Sequence, residues 1–122
     1  MIVRFRTLGS VAMAAAVLLA GHATAADTVK VGLLSTLSGP GAALGVDIRD
    51  GFALGVQHSG GNLGGLKAEV IVADDQFNPK RTPEVARELI EKQQVLALFL
   101  NRGTPHSQAL LPLLEEHKVP LV

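Results

Sequence analysis

Apolar and polar positions fall in blocks along the chain, and the blocks have two different periods. Val29-Lys30-Val31-Gly32-Leu33-Leu34 is a short apolar run of strand length. Residues 35–45 follow as a loop rich in Gly and Ser with one Pro. Leu44, Ile48, Phe52 and Val56 then recur at every fourth position. That spacing sets them on one helix face and leaves Asp47, Arg49 and Asp50 toward water. Gly51 and Gly55 weaken this helix on propensity but permit close backbone packing. Gly60-Gly61-Asn62-Leu63-Gly64-Gly65 is expected to end it as a flexible connection.

A second buried strand is predicted over residues 68–73, around Val70-Ile71-Val72, with Asp74-Asp75 at its carboxyl end. Thr82 reads as the N-cap of the next helix, with Pro83 at its first position. Val85, Ala86, Leu89 and Ile90 make the inner stripe of that helix, and Arg87–Glu91 and Glu88–Lys92 pair across one turn outside. Residues 95–100 are a third strand and residues 101–105 a loop. The helix after it sets Leu110, Leu113, Leu114 and His117 on one side, and Pro112 within it predicts a kink or a late start. Residues 119–122 open a fourth strand. Continuous apolar strands alternating with amphipathic helices predict an α/β fold with a parallel sheet covered on both faces.

The first residues do not fit this alternation. Arg4 and Arg6 make a short positive start, residues 8–20 are almost wholly apolar or small, and Ala23-Thr24-Ala25 is a small-x-small cleavage pattern. The apolar stretch, as a helix, rises only about 20 Å, too short to cross a hydrocarbon core about 30 Å thick. Residues 1–25 are therefore read as a cleavable secretory signal peptide, and residues 26–122 as one α/β domain. With no cysteine in the chain, a disulfide framework and a thiolate metal site are excluded, and a lipid-anchored lipoprotein is not supported. Beyond Arg4 and Arg6 the charge is close to balanced, slightly negative, so nothing points to nucleic acid or an acidic membrane. The apolar run at residues 119–122 has no polar tail, and the domain reads as the N-terminal, truncated piece of something longer.

In an open parallel sheet, ligands bind outside the carboxyl ends of the strands. Residues 35–45, 74–78 and 101–105 occupy that edge. Gly39, Gly41 and Gly45 invite a nucleotide reading, but a dinucleotide fingerprint would need its last glycine at Leu44, and Pro40 interrupts the first two. A Walker loop would need Gly-Lys-Ser/Thr, which is absent. Asp74 and Asp75 point to opposite sides of an extended backbone and are expected to cap N–H groups of the loop before Asn78-Pro79. Thr104 lies beside Gly103 just before a helix N-terminus, where backbone N–H groups attract a carboxylate and the hydroxyl can add a hydrogen bond. It can equally be a plain helix cap. Arg102 offers a bidentate contact or a solvated charge. His58, His106 and His117 read as surface or helix-end residues. No Ser/His/Asp arrangement or His-x-x-x-His pair occurs, so no catalytic residue, metal or cofactor is assigned.

Ser38-Gly39-Pro40 followed by Ala42-Ala43-Leu44-Gly45 resembles the type I periplasmic solute-binding proteins of ABC transporters, in the leucine/isoleucine/valine-binding group. Val29-Lys30-Val31-Gly32, the helix around Gly51, Gly60-Gly61, Asp74-Asp75, Asn78-Pro79 and Val119-Pro120 agree in order and spacing. The resemblance implies two α/β lobes that close on a small ligand about a hinge, with this chain an incomplete first lobe of Rossmann-like form. It implies that Leu44 sets an apolar side chain against the ligand, and that Gly103 and Thr104, with Arg102 beside them, hold the ligand carboxylate. The family's usual Ser/Ala-rich loop is here Arg102-Gly103-Thr104-Pro105, which leaves amino acids, amides and aromatic acids open as ligands.

The function so implied is capture of a small solute in the periplasm, a branched-chain or related amino acid first among them, for delivery to an inner-membrane ABC permease. It involves no chemistry. A receptor's ligand-sensing domain and an exported α/β enzyme are the alternatives, the second needing a nucleophile elbow that residues 26–122 do not carry. A single lobe leaves its cleft open to water, so weak or no binding is expected from residues 26–122 alone.

Overall fold

A computed structural model describes residues 28–101 and 103–122, and the expected signal peptide lies outside them. The elements run β1 (Thr28–Ser35), α1 (Ala42–His58), β2 (Asn62–Leu63), β3 (Leu66–Asp74), α2 (Thr82–Arg87), β4 (Ala97–Leu100) and α3 (Thr104–His117). The sheet order is β2-β3-β1-β4. β1 pairs in parallel with β3 from Thr28↔Lys67 to Ser35↔Asp74, and with β4 from Val31↔Ala97 to Leu34↔Leu100. Beyond β4, Leu121 bridges Leu98 in parallel; the Leu98 N–H donates to the Pro120 carbonyl and the Val122 N–H to the Leu98 carbonyl, each at 2.9 Å. The start of the expected fourth strand is therefore in place. With β1 between two parallel neighbours, every residue from Val31 to Ser35 is buried, as its unbroken apolar run requires.

The pleat divides β1 between the two faces. Leu34 joins Leu98 of β4 and Ala86, Leu89, Ile90, Leu110, Leu113 and Leu114 in one core cluster beneath α2 and α3. On the other face lies α1, whose Phe52 meets Phe99 of β4 edge to face at 4.9 Å between ring centroids. Of the inner stripes predicted for the two helices, Ala86, Leu89, Ile90, Leu110, Leu113 and Leu114 are buried, while Val85 and His117 are half-buried. α1 covers its face less completely than expected, and Val72 of β3 remains 37% exposed.

Three local expectations are corrected. The glycine-rich segment after α1 is a hairpin and not a flexible connection: β2 pairs antiparallel with β3 through Asn62↔Lys67 and Leu63↔Leu66. Gly64 and Gly65 at its tip have φ of 58° and 82°, the left-handed pair that a two-residue hairpin turn needs. Thr82 is the first helical residue of α2, not its side-chain cap, because its hydroxyl donates back to the Asn78 carbonyl at 3.1 Å. α2 continues through a π-turn at Glu88–Lys92. The Arg87–Glu91 and Lys92–Glu88 pairs form there at 2.7 and 2.9 Å, and both are exposed and contribute little. α3 starts at Thr104, with no late start, and runs on through Pro112. Pro112 lies on the exposed side of α3, where water can take up the carbonyl the ring leaves unbonded.

Candidate functional site

The carboxyl ends of β1, β3 and β4 are tied together by short polar side chains. Ser35, at the end of β1, donates its hydroxyl to the Gly45 carbonyl in the first turn of α1 at 2.9 Å. Asn101, just past β4, donates its Nδ2 to the same Ser35 Oγ, also at 2.9 Å. Ser35 is fully buried, so this chain of bonds is shielded from water and fixes α1 and the β4 loop to one point.

Asp74 and Asp75 make the second tie, and they do more than cap their own loop. Asp74 accepts from the Gln76 N–H at 2.9 Å, but also from the Leu37 N–H at 2.8 Å and the Ser38 hydroxyl at 2.5 Å, both in the loop after β1. Asp75 accepts from the Phe77 N–H at 3.0 Å and from the Thr36 hydroxyl at 2.5 Å. The alternation of a strand sends the two carboxylates to different partners, as expected. Parallel pairing of β1 with β3 brings the β1 loop within their reach.

Burial pushes the Asp74 carboxyl up, and the hydrogen bonds from Ser38 and from the Leu37, Gln76 and Ser38 N–H groups outweigh it, leaving it below its ordinary 3.8. A carboxyl held lower in the folded state stabilises the fold above its unfolded pKa, and this contribution is lost as pH falls through the folded value. Acid unfolding of the Asp74→Asn variant, followed by circular dichroism, is therefore expected to depend less on pH below 3.8 than that of the parent chain. Parallel acid curves for the two would contradict this.

Sequence-predicted site residues lie on this edge at two helix starts. Leu44 is in the first turn of α1 and 55% exposed. Gly103 is the N-cap position of α3 and Thr104 its first residue, both exposed. Thr104 is not the cap, and among the described residues no side chain caps this helix end. No acidic residue lies in the first turn of α3. Arg102 lies outside the described residues. His106, read as a surface or helix-end residue, does lie at a helix end, in the first turn of α3, but it is buried, 6% exposed, with its Nε2 3.8 Å from Asp75 Oδ2. Its ring also lies against Phe77, with centroids 5.9 Å apart. The partners stand 31 positions apart in the chain, so no local spacing announces them. His58 is exposed, and His117 is at the end of α3, as expected.

A profile described as periplasmic binding protein matches residues 28–122, the whole described part of the chain. The chain belongs to the periplasmic binding protein family. Its sheet order and flanking helices are those of a type I periplasmic binding protein lobe. Among curated relatives, a Leu/Ile/Val-binding protein homologue of Brucella abortus is 34% identical over 105 residues, which is 85% of this chain and 27% of that protein. Among solved structures, an ABC transporter solute-binding protein of Rhodopseudomonas palustris in complex with 3,4-dihydroxybenzoic acid is 36% identical with a TM-score of 0.72. The match covers 78% of this chain and 26% of that one. A leucine-binding protein of Thermotoga maritima is 26% identical with a TM-score of 0.70, over 76% of this chain and 26% of its own. These relatives are solute-binding proteins, and this periplasmic binding protein chain spans about a quarter of their length.

Proposed function

We propose that this chain is the ligand-gripping first lobe of an ABC importer's solute-binding protein, exported by residues 1–25 and working in the periplasm. It captures a small carboxylate-bearing solute, a branched-chain or related amino acid first, and hands it to an inner-membrane permease. The observation that carries this reading is the uncapped N-terminus of α3 at the carboxyl edge of the sheet, with no acidic residue in its first turn. A helix start of that kind presents partial positive charge and N–H donors to an anion. Pro105 has no N–H, and the His106 and Ser107 N–H groups both donate to the Gly103 carbonyl. Among the described residues, the donors left to a ligand carboxylate are the Gly103 and Thr104 N–H groups and the Thr104 hydroxyl; Arg102, which precedes Gly103 in the chain, is the further candidate donor. Leu44, exposed at the start of α1, supplies apolar surface for the ligand's side chain.

An aromatic acid is the second reading. The relative bound to 3,4-dihydroxybenzoic acid is 36% identical, against 26% for the leucine-binding protein, and both ligands carry a carboxylate. A second lobe would close the cleft and desolvate the carboxylate, strengthening each hydrogen bond to it. Titration calorimetry of the present chain with leucine and with 3,4-dihydroxybenzoate is therefore expected to give dissociation constants in the millimolar range. Micromolar binding by this lobe would overturn the requirement for closure. Binding of a cation or a neutral sugar in preference to both acids would overturn the carboxylate site.

A further inference from the structure

Asp75 Oδ2 and both ring nitrogens of His106 are buried and lack hydrogen-bond partners among the described residues. Asp75 is fully buried and His106 is 6% exposed. Unmatched buried polar groups are costly, and here the two face each other across 3.8 Å. That separation is about 1 Å longer than a hydrogen bond between an imidazole N–H and a carboxylate. The other carboxylate oxygen is already engaged by Thr36 and Phe77, which anchors Asp75 to the loops after β1 and β3. His106, by contrast, stands in the first turn of α3, two residues after Thr104.

We infer that His106 is a positioning residue: ligand capture at the start of α3 closes the His106–Asp75 gap into a hydrogen bond and locks that helix start against the β1 and β3 loops. The inference rests on the carboxylate site proposed above. A carboxylate drawn onto the Gly103 and Thr104 donors pulls on the same turn that carries His106. A small inward shift satisfies two groups that the open lobe leaves unmatched, and this gain adds to ligand affinity. Neither Asp75 nor His106 touches the ligand in this arrangement.

The test is nuclear magnetic resonance on the present chain, titrated with 3,4-dihydroxybenzoate and with leucine. Amide signals of Gly103 and Thr104 report the ligand, and the His106 ring nitrogens report the gap. The His106 Nε2 signal is expected to move toward that of a carboxylate-bonded N–H in step with the amides. In Asp75→Asn it should not respond. His106→Leu, which has no donor, should bind roughly tenfold more weakly, the scale of one buried hydrogen bond left unmade. His106→Gln, which keeps a donor, should stay within about twofold of the parent. Amide shifts with an unresponsive ring, or equal affinity for the Leu and Gln variants, would overturn this inference and leave the carboxylate site standing. No ligand response at Gly103 and Thr104 would overturn both.

Discussion

Replacing Gly45 by alanine is expected to destabilise the lobe by more than about 4 kcal/mol, enough to unfold much of it. A Cβ at Gly45 would lie 1.7 Å from the Thr36 carbonyl oxygen and 2.7 Å from its carbon. Those are backbone atoms, at the point where the β1 chain turns into its loop, and no side-chain rotation can move them. Relief requires α1 to back away from the sheet. That movement breaks the Ser35–Gly45 hydrogen bond and, through the shared Ser35 hydroxyl, loosens Asn101 and the β4 loop. It also separates Phe52 from Phe99. Gly51, one and two-thirds turns further along the same helix, is the control. A Cβ there meets nothing within 4 Å, so Gly51→Ala should be neutral or slightly stabilising through helix propensity. Denaturant unfolding of both variants checks the pair. A Gly45→Ala chain as stable as its parent would mean that α1 is not seated on Thr36.

Leu98→Ala is expected to cost about 2–5 kcal/mol, the usual range for emptying a packed core position. Leu98 is fully buried on β4 within the main cluster. Its side chain also closes over Gly32 of β1: a Cβ placed on Gly32 would meet Leu98 at 2.7 Å and Leu89 at 2.9 Å. The cluster that holds this side chain draws residues from β1, β4, the helical segment after β3 and α3. Its backbone carries the bridge to Leu121, so the loss also reaches the beginning of the next strand. Leu96, two residues earlier, is 66% exposed, and Leu96→Ala should change stability by no more than about 0.5 kcal/mol. Thermal unfolding of the two variants separates a burial effect from a general intolerance of alanine in and just before β4.

The parts of the fold legible in the chain are those encoded by periodicity. The run from Val29 to Leu34 and the stripe of Ala86, Leu89 and Ile90 each state which face they bury, and the structure buries those faces. The β2 hairpin was not legible as a strand pair. Only two residues pair on its short arm, and its glycines read as flexibility when two of them are turn residues with positive φ. Gly45 shows a different limit. Its spacing from Gly39 and Gly41 disqualifies a dinucleotide loop, but its reason for being glycine is contact with Thr36, nine positions earlier and across a strand-to-helix turn.

The candidate site divides in the same way. That three loops meet at one edge follows from a parallel sheet alone. Which side chains tie them together does not, because Thr36–Asp75, Ser38–Asp74 and Asn101–Ser35 join positions 36 to 66 residues apart. His106 was missed for this reason. A lone histidine near a loop carries no signal until the pairing of β1 with β3 delivers Asp75 to the same place.

The proposed function turns on a ligand carboxylate held at the start of α3, within a site framed by the loops after β1 and β4. Amide chemical-shift mapping of the whole lobe during titration with leucine and with 3,4-dihydroxybenzoate tests it most directly. The largest shifts are expected at Gly103, Thr104, Ser38 and Leu44 with both acids, while the exposed outer face of α2 stays silent. Shifts centred on α2, or spread evenly over the lobe at millimolar ligand, would contradict it.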